Sequence, residues 1–181
     1  MTQATDSAEA AVRRAARVRL MVFDVDGVLT DGSLQYGAEG EAIKTFNVQD
    51  GLGIKLLRQT GVKTAIITAR NSAINAKRAA DLGIDHIQQG SHDKKTAFEQ
   101  LLAHFSLTAE QAGFMGDDWI DLPVLTRTGF AVSLPNGRPE VRERAHFITH
   151  AAGGRGAVRE VCEFIMRAQG SFEATLASYL A

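Results

Sequence analysis

Val18-Arg19-Leu20-Met21-Val22-Phe23-Asp24-Val25-Asp26-Gly27-Val28-Leu29-Thr30-Asp31 passes from apolar to acidic within one short span. An apolar run that stops at two carboxylates one residue apart, followed by glycine, has the pattern of a buried parallel strand delivering acid to the carboxyl edge of a sheet. Such edges are where open α/β sheets bind ligands. Residues two apart on a strand share a face, so Asp24 and Asp26 would repel each other there unless a cation sat between them or the chain turned after Asp24. Gly27 permits that turn. Taken alone, Asp-x-Asp-Gly also fits a strand end whose exposed acids cap the next segment, and the rest of the chain has to separate the two.

On the N-terminal side, residues 1–16 form a leading helix: Thr5 to Ala16 is rich in alanine, with Asp6 near its start and Arg13, Arg14 and Arg17 near its end, the polarity that a helix dipole favours. On the other side, residues 33–47 place Leu34, Tyr36, Ile43 and Phe46 around Gly37-Ala38-Glu39-Gly40, the pattern of a β-hairpin with a glycine turn. Asp50 and Gly51 open a helix through Arg58 that Gly61 ends, and Val62 to Thr68 is a second buried strand. The alternation continues with a helix over Ser72 to Leu82, a strand over Ile84 to Ile87, a helix over Lys94 to Phe105, a cap pattern at residues 106–111 and a strand over Ala112 to Met115. Gly116-Asp117-Asp118-Trp119-Ile120-Asp121 then forms an acidic loop entering a helix. Strands over Phe130 to Val132 and Phe147 to Ile148, with Arg138 to Ala145 helical between them, precede a helix from Ala157 to Ala168, and the tail at 170–181 is helical or loose. Strands alternating with helices at this spacing predict an α/β fold, Rossmann-like, with a mostly parallel sheet covered on both faces and a β-hairpin inserted after the first strand.

The 181 residues, 45% hydrophobic and 23% charged, suit one domain with a substantial core. A net charge of −1 gives no support to a nucleic-acid-binding surface, and a small anionic ligand suits it better. The lone Cys162 lies among apolar neighbours in a helical pattern, as a small core residue consistent with a reducing cytoplasm. The start of the chain has no apolar targeting core and no later run reaches the length of a membrane span, so the expectation is a cytoplasmic protein with no membrane partner.

Four successive strands lead into pointed chemistry: Asp24 with Asp26, Thr68, the approach to Lys94, and Asp117 with Asp118 and Asp121. In a parallel sheet those ends share one edge, where acids from the first and fourth strands can converge on a hard cation, for which Mg²⁺ is the usual choice. A helix-start hydroxyl and a lysine beside it would hold phosphate oxygens. Asp24 could then attack phosphorus, and Asp26 could give a proton to the leaving alcohol and later take one from water. Each residue also has a plainer use: Thr68 as a helix cap, Lys94 as a solvated helix-start lysine beside Lys95, Asp121 as a cap, and Gly153-Gly154-Arg155-Gly156 as a loop. Trp119 and the five histidines have no ligand spacing, and His104 and His146 are expected at the surface or in packing.

In order, Asp24-Val25-Asp26-Gly27-Val28-Leu29-Thr30-Asp31, Ile67-Thr68, Lys94 and Gly116-Asp117-Asp118-Trp119-Ile120-Asp121 resemble the four motifs of the haloacid dehalogenase superfamily of phosphatases. With the hairpin, Asn47-Val48-Gln49-Asp50-Gly51 and Gly153-Gly154-Arg155-Gly156-Ala157-Val158-Arg159-Glu160, the whole chain resembles the members that hydrolyse 3-deoxy-D-manno-octulosonate 8-phosphate on the way to lipopolysaccharide. The resemblance implies Asp24 as nucleophile and Asp26 as general acid–base. It implies the Asp24 carboxylate, the Asp26 main-chain carbonyl and Asp117 as Mg²⁺ ligands, with Asp118 and Asp121 supporting the metal site. Thr68 and Lys94 would hold the phosphoryl group, and Asp26, Arg70, Arg78, Lys94 and Arg155 would face the substrate, Arg78 as the better candidate for the sugar carboxylate. Ala69 departs from the glycine common between the hydroxyl residue and the arginine, which bears on the placement of Arg70.

Neither gap between motifs holds a cap domain, so specificity must come from elsewhere. The resemblance implies a homotetramer in which the hairpins meet around a central axis and each site is completed by a neighbour carrying Arg155; a two-stranded hairpin is marginal alone and its apolar face wants a partner. Two alternatives remain open: a nine-carbon, sialic-acid-type 9-phosphate or a broader set of sugar phosphates as substrate, and, in a different class, a phospho-receiver signalling domain, which also gathers acids, Mg²⁺, a hydroxyl and a lysine on a parallel sheet. In a receiver the accepting aspartate stands on a later strand than the acidic pair, whereas here Asp-x-Asp on the first strand carries its own acid–base.

Overall fold

The computed structural model describes residues 2–180, with side chains from residue 8 onward, so the side chain of Asp6 and the extreme ends of the 1–181 span lie outside the described residues. In chain order the elements are α1 (Thr2–Ala15), β1 (Leu20–Phe23), β2 (Gln35–Gly37), β3 (Gly40–Ile43), α2 (Val48–Gln59), β4 (Lys63–Ile67), α3 (Ala73–Leu82), β5 (His86–Gln88) and α4 (Lys94–Phe105). There follow β6 (Ala112–Met115), α5 (Leu122–Leu125), β7 (Phe130–Ser133), α6 (Pro139–Arg142), β8 (Phe147–Ile148), α7 (Ala157–Ala168) and α8 (Phe172–Ala177).

Six strands form one parallel sheet in the order β5-β4-β1-β6-β7-β8, and β2 and β3 pair antiparallel as a separate hairpin. The chain leaves β1 for β4 and β5 on one side, then returns to β6 on the other. The connections therefore part at the carboxyl end of β1, which makes a crevice there. The α/β expectation holds, with the hairpin inserted after β1 and no cap domain in either gap between motifs.

Alternation along β1 divides the core. Leu20 and Val22 face Phe98 and Leu101 of α4 with Val124 and Leu125 of α5, while Met21 and Phe23 face Ile54 and Leu57 of α2 and Val158, Val161 and Ile165 of α7. A strand covered on both faces has to be apolar at every position, which is why β1 reads as a continuous run. Cys162 is buried in this core, where its thiol is pushed well above its usual range.

Caps set most boundaries. Asn47 accepts from the backbone of Gln49 and Asp50, so α2 starts at Val48, two residues before the expected start. Ser72 caps α3, and Gly83, at φ +68°, ends it. Asp93 caps α4 by accepting from Thr96 N at 3.1 Å. The segment at 106–111 resolves into a short 3₁₀ turn, Ala109–Gln111, closed by a capping box between Thr108 and Gln111. The helix expected over 138–145 is one turn long, started by Pro139, and the tail forms α8. His146 is a packing residue, its Nδ1 accepting from Ala131 N at 2.8 Å.

Candidate active site

Asp24 is the first residue beyond β1, and its backbone N–H extends the sheet by donating to Met115 O at 3.0 Å. The chain then turns sharply, with the N–H groups of Val28, Leu29 and Thr30 all directed at Val25 O. Gly27 makes the turn at φ +93°, and its missing side chain makes the site: a Cβ there would lie 2.2 Å from Asp117 Oδ2. The turn thus separates Asp26 from Asp24 and brings Asp117, from the loop after β6, against Asp24. The clash of two acids on one strand face is resolved by the turn, after which Asp24 pairs with Lys94, and Asp26 with Lys44 and Arg70.

Asp121 organises that environment. It is fully buried, its Oδ2 accepting from the N–H groups of Asp117 and Asp118 at 3.0 and 3.2 Å and its Oδ1 accepting from Lys94 Nζ at 2.7 Å. A Cβ on Gly116 would strike the Asp121 carboxylate, so glycine is required there too. Lys94 enters from the start of α4, is only 2% exposed, and lies 2.9 Å from Asp24 Oδ1. Its neighbour Lys95 is half exposed and reaches only Glu99, at 3.7 Å. Thr68, buried at the end of β4, accepts from Arg70 N at 3.4 Å. Asp24, Asp26, Thr68, Ala69, Arg70, Lys94, Asp117, Asp118 and Ile120 line a cavity of about 280 Å³.

Asp118 stands at the exposed rim and accepts from Trp119 N at 2.7 Å, capping the turn before α5, so of the two acids expected to support the metal site it is Asp121 that holds Lys94. Arg70 reaches the cavity, its Nε 3.4 Å from Asp26 Oδ2 and its Nη1 donating to the Tyr36 hydroxyl at 2.9 Å. Arg78 lies outside that lining: it donates to Asn47 O at 3.2 Å, packs over the Phe46 ring, and lines an adjoining groove with Lys44, Ile74 and Lys77. Arg155 is largely exposed, 3.5 Å from Asp31.

Around Arg155 the glycines clasp the first loop. Gly154 N donates to Val28 O at 3.0 Å, Asn136 bridges Gly27 O and Gly153 N, and a Cβ on Gly153 would fall 1.9 Å from Gly27 O. Asp50 braces the same loop from α2 by accepting from Gly156 N and Arg159 N at the start of α7. Burial raises the Asp50 carboxyl above its usual value despite those donors. The sequence reading missed Lys44, whose ammonium pairs with Asp26 Oδ1. A hairpin lysine 18 residues from Asp26 leaves no spacing signal, because only the fold of the hairpin over the sheet edge brings them together.

A haloacid dehalogenase-like hydrolase family model matches residues 83–160. The 3-deoxy-D-manno-octulosonate 8-phosphate phosphatase of Yersinia pestis is 44% identical over 142 residues, 78% of this chain and 76% of that protein. The Moraxella catarrhalis protein of the same name, solved in complex with magnesium ion, phosphate ion and KDO, superposes with a TM-score of 0.91 at 44% identity, covering 93% of this chain and 97% of that one. The cobalt-bound Haemophilus influenzae phosphatase gives 0.89 at 38% identity over 93% and 99%. The chain belongs to the 3-deoxy-D-manno-octulosonate 8-phosphate phosphatase family. The receiver-domain alternative falls with that membership.

In this family member the acids themselves ask for a cation. Oxygens of Asp24, Asp117 and Asp121 lie within 4.8 Å of one another, and Asp117 Oδ1 is buried without any hydrogen-bond partner. Burial, reinforced by Asp121 and opposed by Lys94, pushes the Asp24 carboxyl up to about 7. Burial, with Asp24, Asp121 and Asp118 adding to it, pushes Asp117 up to about 8. For Lys94 burial works against the charge, but Asp24 and Asp121 outweigh it and hold the ammonium above its usual value. Lys94 alone cannot balance three carboxylates, and an orphaned oxygen facing Asp24 is the donor set that a hard divalent ion takes. Asp121 already spends both oxygens on Lys94 and the loop, so Asp24 and Asp117 are the side chains left to hold Mg²⁺.

Proposed function

We propose that this protein is a Mg²⁺-dependent phosphatase that hydrolyses 3-deoxy-D-manno-octulosonate 8-phosphate to the free sugar acid and phosphate, through an aspartyl-phosphate on Asp24, in the making of lipopolysaccharide precursor. The observation that carries the reading is the buried ammonium of Lys94 between Asp24 and Asp121, beside the unpartnered oxygen of Asp117. That arrangement leaves Asp24 as an acid at the cavity floor with positive charge on one side and a cation position on the other.

The Asp24 and Asp117 carboxylates and the Asp26 main-chain carbonyl would hold Mg²⁺, whose charge would offset repulsion between the carboxylate and the phosphoryl group. Lys94 and Thr68 bind the phosphoryl oxygens and orient phosphorus for attack by a carboxylate oxygen of Asp24. As the Asp24 oxygen–phosphorus bond forms and the bond to the sugar oxygen breaks, Asp26 gives its proton to the leaving alkoxide. Asp26 then takes a proton from water, whose oxygen attacks phosphorus, releases phosphate and restores the Asp24 carboxylate. Asp121 keeps Lys94 and the Asp117 loop in place, and Asp118 closes the rim.

For the sugar acid, Arg70 at the cavity mouth and Arg78 in the adjoining groove are the candidate carboxylate contacts, with Arg155 reaching a neighbouring site. That role requires an assembly, and a homotetramer is the one proposed. The hairpin leaves Tyr36 and Ile43 more than half exposed, and the following Val48 82% exposed, an apolar face that a symmetric assembly would bury. No described helix is long and apolar enough to cross a membrane. The proposed location is the cytoplasm, in keeping with the free buried thiol of Cys162. The test is phosphate release from the eight-carbon sugar-acid phosphate with Mg²⁺, with EDTA, and by Asp24→Asn. Release that needs Mg²⁺ and Asp24 supports the reading, and release indifferent to both refutes it.

A further inference from the structure

Asp26 stands at the mouth of the cavity and is gripped from two sides by unlike cations. Arg70 has a 43% exposed side chain and divides its guanidinium between Asp26 and Tyr36. Lys44, immediately after β3, has a side chain only 1% exposed, with its ammonium on Asp26 Oδ1 and 3.0 Å from Glu41 Oε1. Glu41 in turn accepts a hydrogen bond from the hydroxyl of Ser72, the residue that caps α3. A continuous polar chain, Ser72–Glu41–Lys44–Asp26, therefore runs from the framework of α3 through the hairpin to the acid proposed to handle the leaving group.

Burying a lysine costs hydration and side-chain freedom, and strand pairing in the hairpin uses backbone groups that ask for no ammonium. The two carboxylates that hold Lys44 thus account for its burial. Of the two, Glu41 is tied to α3 by the Ser72 hydroxyl, so the ammonium is placed from the framework side and the Asp26 carboxylate is set against it. We infer that Lys44 is a positioning residue for Asp26, fixing the orientation in which that carboxyl meets the leaving oxygen, and that the hairpin is thereby part of the reaction machinery of its own protomer. The inference rests on Asp26 being the proton donor.

The leaving group separates positioning of the acid from general damage. A sugar alkoxide needs a proton as it departs, whereas p-nitrophenolate does not, so loss of acid assistance slows the first and spares the second. First-turnover rates of sugar release by rapid quench, and of nitrophenolate appearance in the burst, report formation of the phosphoenzyme alone. Asp26→Asn is expected to slow sugar release by about 10²–10⁴-fold and the nitrophenolate burst by less than about tenfold. Lys44→Met should show the same asymmetry at about 10–10²-fold on sugar release, with little change in KM, and should add less than about threefold in the Asp26→Asn background. The pair Glu41→Gln with Lys44→Met removes both charges together and supplies a folded variant if the single change leaves Glu41 uncompensated. Equal slowing of both substrates by the Lys44 variants, or an effect confined to KM, overturns the positioning role. Equal slowing by Asp26→Asn overturns the proton-donor reading and the inference with it.

Discussion

Replacing Gly27 by alanine tests the site at the point where backbone geometry and metal binding meet. The turn holds φ at +93°, which an L side chain tolerates at a cost of about 1–2 kcal/mol. The added Cβ would fall 2.2 Å from Asp117 Oδ2, and an ordinary contact requires that carboxylate to retreat by about 1 Å. Asp117 has no hydrogen bond on Oδ1 to guide it elsewhere, while its backbone is tied to Asp121, so the side chain swings and leaves Asp24. A displacement of that size at reacting groups costs about 10²-fold in rate. Gly27→Ala should therefore lower kcat/KM about 10²-fold, move the Mg²⁺ dependence to higher concentration, and lose about 1–3 kcal/mol of stability, or about 2–12 °C in Tm for a chain of this size. The assay is steady-state phosphate release across a Mg²⁺ series beside thermal unfolding of the same samples. Wild-type Mg²⁺ dependence and rate in a protein with the glycine replaced would refute the placement of Asp117 against Asp24.

Three further outcomes follow from the same geometry. Asp24→Asn removes the attacking oxygen and one charge from a crowded acid cluster, so turnover should vanish while Tm in EDTA stays equal or rises; retained turnover removes Asp24 as nucleophile. Because Asp24 and Asp117 have folded-state values near 7 and 8, well above the ordinary carboxylate value, the metal-free fold binds more protons than the unfolded chain between about pH 4 and 8. Stability in EDTA is then greatest below pH 4 as far as these two groups are concerned and is lost as pH rises through 7 and 8, so the Tm gap between Mg²⁺ and EDTA samples should widen from pH 5 to 8; a gap independent of pH contradicts that charge balance. Arg155→Ala loses only an exposed pair with Asp31, worth less than about 1 kcal/mol, so Tm should hold while kcat/KM for the sugar-acid phosphate falls; unchanged kcat/KM removes the proposed neighbour contact.

Much of the fold is legible in the sequence because its strands are covered on both faces. The unbroken apolar run before Asp24 suits the middle of a parallel sheet, where it lies, and the polar residues after β4 and β6 then fall on the same edge. The family resemblance, and not helix phase, picks Lys94 over Lys95; Lys94 is buried, whereas Lys95 is half exposed. What the sequence did not disclose is tertiary in origin. Asp50 reads as a helix-start acid but braces the start of α7, more than a hundred residues away. Gly153 and Gly154 read as part of a loop before a helix, with nothing to show that their backbone packs on the turn at Gly27 and Thr30. Lys44 reads as one charge on an exposed hairpin and is buried only because the hairpin folds over Asp26. Arg78 shares a helix with nothing that points to its place in a separate groove, which its contact with the Asn47 carbonyl sets.

The central claim is a Mg²⁺-dependent phosphatase tuned to an eight-carbon sugar acid, and the most direct test compares kcat/KM with Mg²⁺ for 3-deoxy-D-manno-octulosonate 8-phosphate, a sialic acid 9-phosphate and a generic hexose phosphate. The expected result is a preference for the first of at least about tenfold over either of the others, the scale set by one extra carbon in a fitted pocket for the nine-carbon acid and by the missing carboxylate for the hexose phosphate. Equal rates on all three, or a preference for the nine-carbon substrate, would contradict it.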